Sequence, residues 1–298
     1  MARFGQVLTA MVTPFATDGS LNVDGARKLA THLVDNGSDG VVLAGTTGES
    51  PTLSHEEKLS LFAAVIEEIG DRATVIAGTG SSNTAETIQL TKEAAGLGAH
   101  AALVVTPYYS KPPQNALLAH FRAVADESPI PIMVYDVPPR TSRRIEIPTM
   151  VELAGHRQIV ADKDAVGDAG ETAKLRAALD AAGHTDFEIY SGDDPLLLPQ
   201  LAAGAVGVVS VNAHLIGTRI KEIVSSFAAG DVATAQRVYL DNQELMSVIM
   251  GVTSSPIPVK AAAAMIGLDV GETRLPLVPA TQEESKIIRA ALEKAGLL

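Results

Sequence analysis

A single lysine stands inside a short apolar run that has the length and composition of a buried strand. The run is "IVADKDAVG", residues 159–167, and the lysine is Lys163. The other nine lysines fall in predicted helices, turns or loops, where an ammonium group can stay hydrated. Burial disfavours the charged form of an amine, and a neutral amine can attack a carbonyl carbon to form a Schiff base. Lys163 is therefore the candidate nucleophile, unless Asp162 or Asp164 beside it holds it in an ion pair.

Hydroxyl groups at the ends of other apolar runs could supply the proton transfers that Schiff-base chemistry requires. Water must leave a carbinolamine, and an enamine must form and be reprotonated. Tyr135 and Thr47 lie at the ends of the predicted fifth and second strands, and Tyr109 ends the fourth. Either tyrosine alone would more simply fill an apolar space. Taken together, the three hydroxyls indicate a proton relay.

Two further segments could bind anions. "GTTGES", residues 45–50, offers backbone N–H groups and the hydroxyls of Thr46 and Thr47 to a carboxylate, or it is only a turn between a strand and a helix. Arg140 in "VPPRTS" could bind a second carboxylate through two nitrogens, or it could stay solvated. The histidines lack metal-ligand spacing and no nucleotide-binding pattern occurs, so we expect neither a metal nor a cofactor.

The elements that position these residues are eight apolar runs, each followed by a segment with helical periodicity. The runs cover residues 7–15, 40–48, 74–80, 101–109, 131–138, 159–167, 187–194 and 205–213. They are nearly continuous rather than alternating, as in a parallel sheet that is covered on both faces. The pattern predicts an α/β fold, a (β/α)₈ TIM barrel, rather than a doubly wound open sheet. The candidate residues fall at the C-terminal ends of strands, where such barrels have their active sites.

Helix signals support the same division of the chain. "SHEEKLSLFAAVIEEIG", residues 54–70, begins with Ser54 followed three residues later by Glu57, a capping-box pattern, and ends at Gly70. Residues 216–298 have helical periodicity throughout and no low-complexity linker before them. We predict a catalytic barrel domain over residues 1–215 and a C-terminal helical region, residues 216–298, packed on it.

The amino-acid composition limits the kinds of partner that the protein is expected to bind. The net charge is −12, and the absence of any Lys or Arg run argues against nucleic acid and favours a small-molecule partner. The chain has no cysteine, which suits a reducing compartment. The N-terminal apolar run is too short to cross a membrane and is interrupted by Pro14. We expect a cytoplasmic protein that does not bind membranes.

Considered as a set, five motifs resemble one known family. "GTTGES", "TPYY", "YDVPPRT", the lysine of the sixth strand and "SGDD" are similar in order and spacing to the dihydrodipicolinate synthases, also called 4-hydroxy-tetrahydrodipicolinate synthases. These enzymes belong to the pyruvate-dependent class I aldolase superfamily. The likeness extends over residues 5–270.

The resemblance implies a lyase that uses no cofactor. Lys163 would form a Schiff base with pyruvate, and the enamine would add to L-aspartate 4-semialdehyde to give 4-hydroxy-tetrahydrodipicolinate, on the route to diaminopimelate and lysine. Family members are commonly homotetramers built as dimers of dimers. The residues implied besides Lys163 are a relay of Thr47, Tyr135 and Tyr109, the last reaching into the neighbouring subunit's site, and substrate-binding positions at Thr46, Thr47, Arg140, Gly192 and Val209.

Two other functions stay open at this point. The sugar-acid lyases, such as N-acetylneuraminate lyase, share the GxTGE turn, the tyrosine and the lysine, but they usually have Ser at the position of Thr46 and lack the Arg at 140. The second open function is that of a sensor, a non-catalytic barrel that binds a keto acid. In that case Asp162 would have disabled Lys163.

The chain departs from the family pattern at three places. Position 162 is usually apolar, so we expect Asp162 to face the helix layer, where a buried carboxylate needs a partner or a raised pKa. Arg143 and Arg144 stand where family members often have a Gly after an RT or RS pair. This difference predicts another shape for the loop that binds the second substrate. A cleft that binds lysine in some members has Ser82 in place of Asn and Lys58 in place of His, which argues against inhibition by lysine.

Overall fold

The computed structural model describes residues 2–298 and contains a closed barrel of eight parallel strands. Each strand pairs with the next along the chain, and β8 pairs with β1 to close the barrel. The predicted (β/α)₈ barrel is thereby confirmed. The strands are β1 Val7–Ala10, β2 Gly40–Leu43, β3 Thr74–Gly78, β4 Ala101–Val105, β5 Ile132–Asp136, β6 Ile159–Asp164, β7 Glu188–Ser191 and β8 Gly207–Ser210. They are shorter than the apolar runs, because the last residues of each run leave the sheet and form loops above it.

Helices surround the barrel and continue beyond it. They are α1 Val23–Asp35, α2 His55–Ile69, α3 Thr84–Gly96, α4 Gln114–Glu127, α5 Pro138–Thr141, α6 Ile147–Ala154, α7 Ala169–Ala181, α8 Leu197–Ala202, α9 Ala213–Ala228, α10 Val232–Gly251, α11 Ile257–Met265 and α12 Gln282–Lys294. The predicted capping box at the start of α2 is present, with Ser54 and Glu57 each accepting from the other's backbone N–H. Such caps satisfy N–H groups that have no partner within the helix.

The C-terminal helices follow directly on the barrel. Helix α9 follows β8 and packs against β1 and α1, so it completes the helix layer. Helices α10, α11 and α12 pack on one another, and α10 and α11 also pack on α9. The division predicted between residues 215 and 216 falls within α9 and stays a prediction. No helix within residues 2–298 has the length and apolar character needed to cross a membrane.

The register of β5 and β6 determines which side chains enter the barrel. Lys163 is paired with Tyr135, whereas Asp162 is paired with Val134 on the alternate face of the sheet. Successive side chains of a strand point to opposite faces. Lys163 and Tyr135 therefore share one face, and Asp162 shares the other with Asp164.

Candidate active site

Lys163 is buried inside the barrel near the carboxyl end of β6. The residue is only 5% exposed, and its Nζ lies 4.1 Å from the centre of the Tyr135 ring. Asp162 and Asp164 line a separate small cavity on the opposite side of the strand. The ion pair that the sequence left open is therefore not formed, and Lys163 presents an amine next to a tyrosine.

A cavity of ≈ 250 Å³ opens at the carboxyl ends of β2, β3, β4 and β5. Thr46, Tyr135 and Arg140, all predicted from the sequence, contribute to its wall. The space suits a small metabolite, and its mixture of apolar wall and few polar groups is typical of ligand sites. The remaining lining residues are Ala44, Gly45, Ser50, Pro51, Gly78, Gly80, Leu103, Val105, Tyr108, Val137 and Thr141.

The turn 45–50 presents hydrogen-bond donors to this cavity. Its backbone is closed by bonds from Glu49 N–H to Thr46 O (3.1 Å) and from Ser50 N–H to Gly45 O (3.2 Å). The hydroxyl of Thr13 donates to Gly48 O at 2.6 Å. Within residues 2–298, the amide N–H groups of Thr46 and Thr47 have no hydrogen-bond acceptor. Such a set of unpaired donors can hold a carboxylate.

Arg140 lies at the edge of the cavity on the short helix α5. Its side chain is exposed and lines the wall, so its guanidinium can reach a second anion. Arg143 and Arg144, at which this loop departs from the family pattern, contact other residues. Arg143 Nη2 donates to Lys111 O at 2.8 Å, and Arg144 Nη2 pairs with Glu171 Oε2 at 2.5 Å. These two contacts connect the loop that follows Arg140 to neighbouring segments.

Five predicted site residues do not line this cavity in their own chain: Lys163, Thr47, Tyr109, Gly192 and Val209. Lys163 contacts Tyr135, which does line the cavity, and Thr47 is buried in the turn 45–50. Tyr109 is 94% exposed with a backbone φ of 70°, and Tyr108 lines the cavity instead. Val209 is buried in β8. Gly192 donates its N–H to Asp164 O at 2.7 Å, and a Cβ there would lie 2.9 Å from the same oxygen, so only glycine fits. The roles of all the predicted site residues stay predictions.

Asp162 faces the helix layer, as expected, in a group of three buried carboxyls. Asp136 accepts from Ile145 N–H at 3.2 Å, and Asp164 Oδ2 accepts from Thr172 at 2.5 Å. Asp162 Oδ1 has no partner within residues 2–298, and the cavity beside it is ≈ 10 Å³, about the room one water needs. Burial raises the pKa of Asp162 well above its usual range, and the nearby carboxyls of Asp164 and Asp136 add to the effect.

Burial also raises the pKa of Asp136, to about 7. The same lack of solvent disfavours charge on both carboxyls. Asp162 and Asp136 therefore keep protons to a higher pH than exposed aspartates do, on the side of β5 and β6 that faces away from Lys163.

The sequence missed one buried pair. Lys260 on α11 is 3% exposed, so the expectation that all lysines except Lys163 stay hydrated is wrong. Its Nζ lies 2.7 Å from Oε1 of Glu49, which belongs to the turn 45–50. A signal was present, since Lys260 is the only charged residue in the otherwise apolar stretch "IPVKAAAAMIG".

Comparison with known proteins places this chain in a family. The model of the dihydrodipicolinate synthetase family matches residues 3–295. The chain is 49% identical to the 4-hydroxy-tetrahydrodipicolinate synthase of Moorella thermoacetica over 99% of this chain and 100% of that one. It is 50% identical to the protein of the same name from Acidothermus cellulolyticus, over 99% of this chain and 94% of the relative.

Solved structures agree with the sequence comparison. The dihydrodipicolinate synthase of Cyanidioschyzon merolae, solved with lysine bound, superposes with a TM-score of 0.96 at 42% identity, covering 100% of both chains. The enzyme of Aquifex aeolicus gives 0.94 at 37% identity, covering 99% of each chain. A structure described as the first monomeric dihydrodipicolinate synthase variant gives 0.95 at 34% identity, covering 99% of this chain and 98% of that one. The resemblance found in the motifs is thus confirmed over the whole length, and the chain belongs to the dihydrodipicolinate synthetase family.

Proposed function

We propose that the protein is a lyase with the activity for which its relatives are named, 4-hydroxy-tetrahydrodipicolinate synthase, and that Lys163 carries the covalent step. The supporting observation is a buried amine without an ion-pair partner that contacts Tyr135, a residue that lines the same cavity as Thr46 and Arg140. Because the carbonyl carbon of a keto acid can bind covalently to this amine, the reaction needs no separate cofactor.

The first half of the reaction forms the nucleophile. The amine of Lys163 attacks C2 of pyruvate to give a carbinolamine, which loses water to become an iminium ion. Loss of a proton from C3 then leaves an enamine, because the iminium nitrogen accepts the electron pair. Tyr135 is in contact with Lys163 and is positioned to move these protons, together with Thr47 and with Tyr109 of a neighbouring subunit.

The second half joins the two substrates. C3 of the enamine attacks the aldehyde carbon of L-aspartate 4-semialdehyde, which takes up a proton as its oxygen becomes a hydroxyl. The amino group of that substrate then attacks C2 and displaces Lys163, which closes the ring of 4-hydroxy-tetrahydrodipicolinate and frees the amine. The one water lost in the sequence is the one expelled from the carbinolamine.

The two substrate carboxylates are bound by separate groups. The unpaired N–H groups and the hydroxyls of Thr46 and Thr47 hold the pyruvate carboxylate, with Gly192 and Val209 completing the pyruvate pocket. Arg140, at the edge of the cavity, binds the carboxylate of the semialdehyde. Because each carboxylate has its own set of donors, neutral for pyruvate and charged for the semialdehyde, the two substrates bind at separate places.

We propose that the active form is an assembly of several copies, a homotetramer built from dimers. The support is Tyr109, a large side chain that is almost fully exposed and held in a left-handed backbone conformation rarely adopted by residues other than glycine. A second copy that accepts this ring would cover it and gain a hydroxyl for its own relay.

The test is the mass of the intact protein after incubation with pyruvate and borohydride, followed by peptide mapping. One reduced pyruvate adduct on Lys163 is expected, and the Lys163→Met variant should acquire none. Lys260 is the internal comparison, because it is equally buried but paired. An adduct elsewhere, or none, would refute the mechanism and favour a keto-acid sensor. Turnover of a 2-keto-3-deoxy sugar acid faster than that of the semialdehyde would refute the proposed second substrate.

A further inference from the structure

The turn that offers donors to the pyruvate carboxylate is held from behind by the C-terminal helices. We propose that Lys260 and Glu49 are a positioning pair, whose contact sets the affinity of the turn 45–50 for a substrate carboxylate. The inference rests on the proposed function and adds two residues to it, neither of which touches the substrate.

The contact is direct and lies away from solvent. Lys260 Nζ is 2.7 Å from Glu49 Oε1, and their side chains are 3% and 0% exposed. The ammonium also donates to Glu272 O at 2.9 Å and lies 4.2 Å from the centre of the Phe15 ring. Burial lowers the pKa of Lys260, and the hydrogen bond and charge of Glu49 oppose that shift. Glu49 therefore favours the protonated form of Lys260.

Glu49 depends on the same partners for its conformation. Its backbone has a φ of 56°, a left-handed value that is unfavourable for a residue with a side chain, and such residues persist only where the surroundings fix them. Its second oxygen, Oε2, accepts from the N–H of Arg274 at 2.9 Å. Both carboxylate oxygens are therefore held by residues of the C-terminal region.

This conformation is transmitted to the donors. The N–H of Glu49 donates to Thr46 O, so a rotation of the Glu49 backbone moves the peptide group that precedes Thr47. Thr46 and Thr47 supply the unpaired N–H groups on which carboxylate binding relies. The side chain of Glu49 thus affects the direction of the Thr47 N–H, which belongs to that peptide group, and through it the position of the neighbouring Thr46.

Stability alone does not account for the pair. Two charges lose their hydration on burial, and apolar residues of similar size often stabilise a fold equally well. Removing only one partner has a different effect, because it leaves the other charge buried and unpaired. Without Lys260, the carboxylate of Glu49 would lose its ion-pair partner, and its uncompensated charge would belong to the same turn whose N–H groups must bind the carboxylate of pyruvate. Loss of position and electrostatic repulsion would both weaken binding.

The experiment compares Lys260→Met, the double variant Glu49→Gln with Lys260→Met, and the control Lys286→Met, an exposed lysine on α12. Borohydride trapping of Lys163 is measured against pyruvate concentration, beside kcat and the KM for the semialdehyde. Lys260→Met should raise the half-saturating pyruvate concentration about tenfold while the KM for the semialdehyde stays unchanged. The double variant, which buries no unpaired charge, should return to within about threefold of the wild type. The control should match the wild type.

A folded Lys260→Met protein with unchanged half-saturation would overturn the inference, as would a uniform loss of all parameters that the double variant does not reverse. If Lys260→Met does not fold, Glu49→Gln takes its place. Its single amide oxygen cannot accept from both Lys260 and the N–H of Arg274, so the same rise is expected and unchanged half-saturation would again overturn the inference. A wild-type protein that traps no pyruvate would instead refute the proposed function.

Discussion

Replacing Asp162 by valine should stabilise the protein and leave turnover unchanged. Asp162 Oδ1 is buried without a partner, and the side chain faces the helix layer rather than Lys163. An unsatisfied buried polar group costs about 1–3 kcal/mol, and valine removes that cost with a side chain of similar size. Since about 1 kcal/mol moves the Tm of a chain of 150–250 residues by about 2–4 °C, the expected rise is several degrees.

The gain should depend on pH in a defined direction. The folded-state pKa of Asp162 is raised above its ordinary value of 3.8, so the folded protein keeps a proton that the unfolded chain releases. The contribution of Asp162 to stability therefore falls as pH rises from about 4 towards the folded-state pKa. Asp162→Val should consequently show a larger gain in Tm at pH 8 than at pH 5.

Thermal unfolding at both pH values, beside steady-state turnover, tests the reasoning. Asp162→Asn is the matched control, because it removes the titration while it keeps a polar group in the same place, and it should recover less stability. Equal gains at pH 5 and pH 8, or a lower Tm for the valine variant, would refute the account of a strained, proton-holding carboxyl. A large change in turnover would show instead that Asp162 belongs to the active site.

Three further predictions address the substrates, the assembly and regulation. Arg140→Ala should raise the KM for the semialdehyde by about 10- to 100-fold, the loss of a charged hydrogen bond, without altering pyruvate trapping; an equal effect on trapping would place Arg140 at the wrong carboxylate. Tyr109→Phe should lower kcat by about 100-fold or more. When this protein is mixed with an inactive Lys163→Ala protein under conditions that exchange subunits, activity should return, because a hybrid pairs an intact lysine with an intact tyrosine; no recovery would argue that Tyr109 acts within its own chain. Millimolar lysine should not inhibit, because Lys58 places a cation in the ≈ 290 Å³ cleft that also contains Glu86; Lys58→His should increase sensitivity, and inhibition of the wild type would contradict this prediction.

Local patterns predicted the barrel because each strand and helix carries its own signal. Ser54 and Glu57 lie three residues apart and cap the same helix, so their pairing is visible in the sequence. Lys163 was found in the same way, as a charge within one apolar run. The predicted strands were too long because apolar residues after a strand can be buried in loops without pairing, as at Val137.

The remainder of the site depends on contacts that no local pattern carries. Helical periodicity did not predict that Lys260 is buried. Its partner Glu49 lies far away in the sequence and becomes its neighbour only after the barrel has closed. The role proposed for Tyr109 requires a second chain, which a single sequence does not reveal. Strand alternation predicted the side of β6 on which Asp162 lies. It did not predict the neighbouring carboxyl of Asp136, because that residue comes from another strand.

The contacts of Glu49 also bear on when the protein becomes active during synthesis. Residues 45–50 leave the ribosome early, yet the groups that hold both oxygens of Glu49 come from Lys260 and Arg274, near the end of the chain. A nascent chain that has completed β8 has all the strands of the barrel but no partner for this carboxylate. We expect a ribosome-stalled chain lacking residues 257–298 to trap little pyruvate. The substrate turn is then among the first parts of the molecule to be made and among the last to mature.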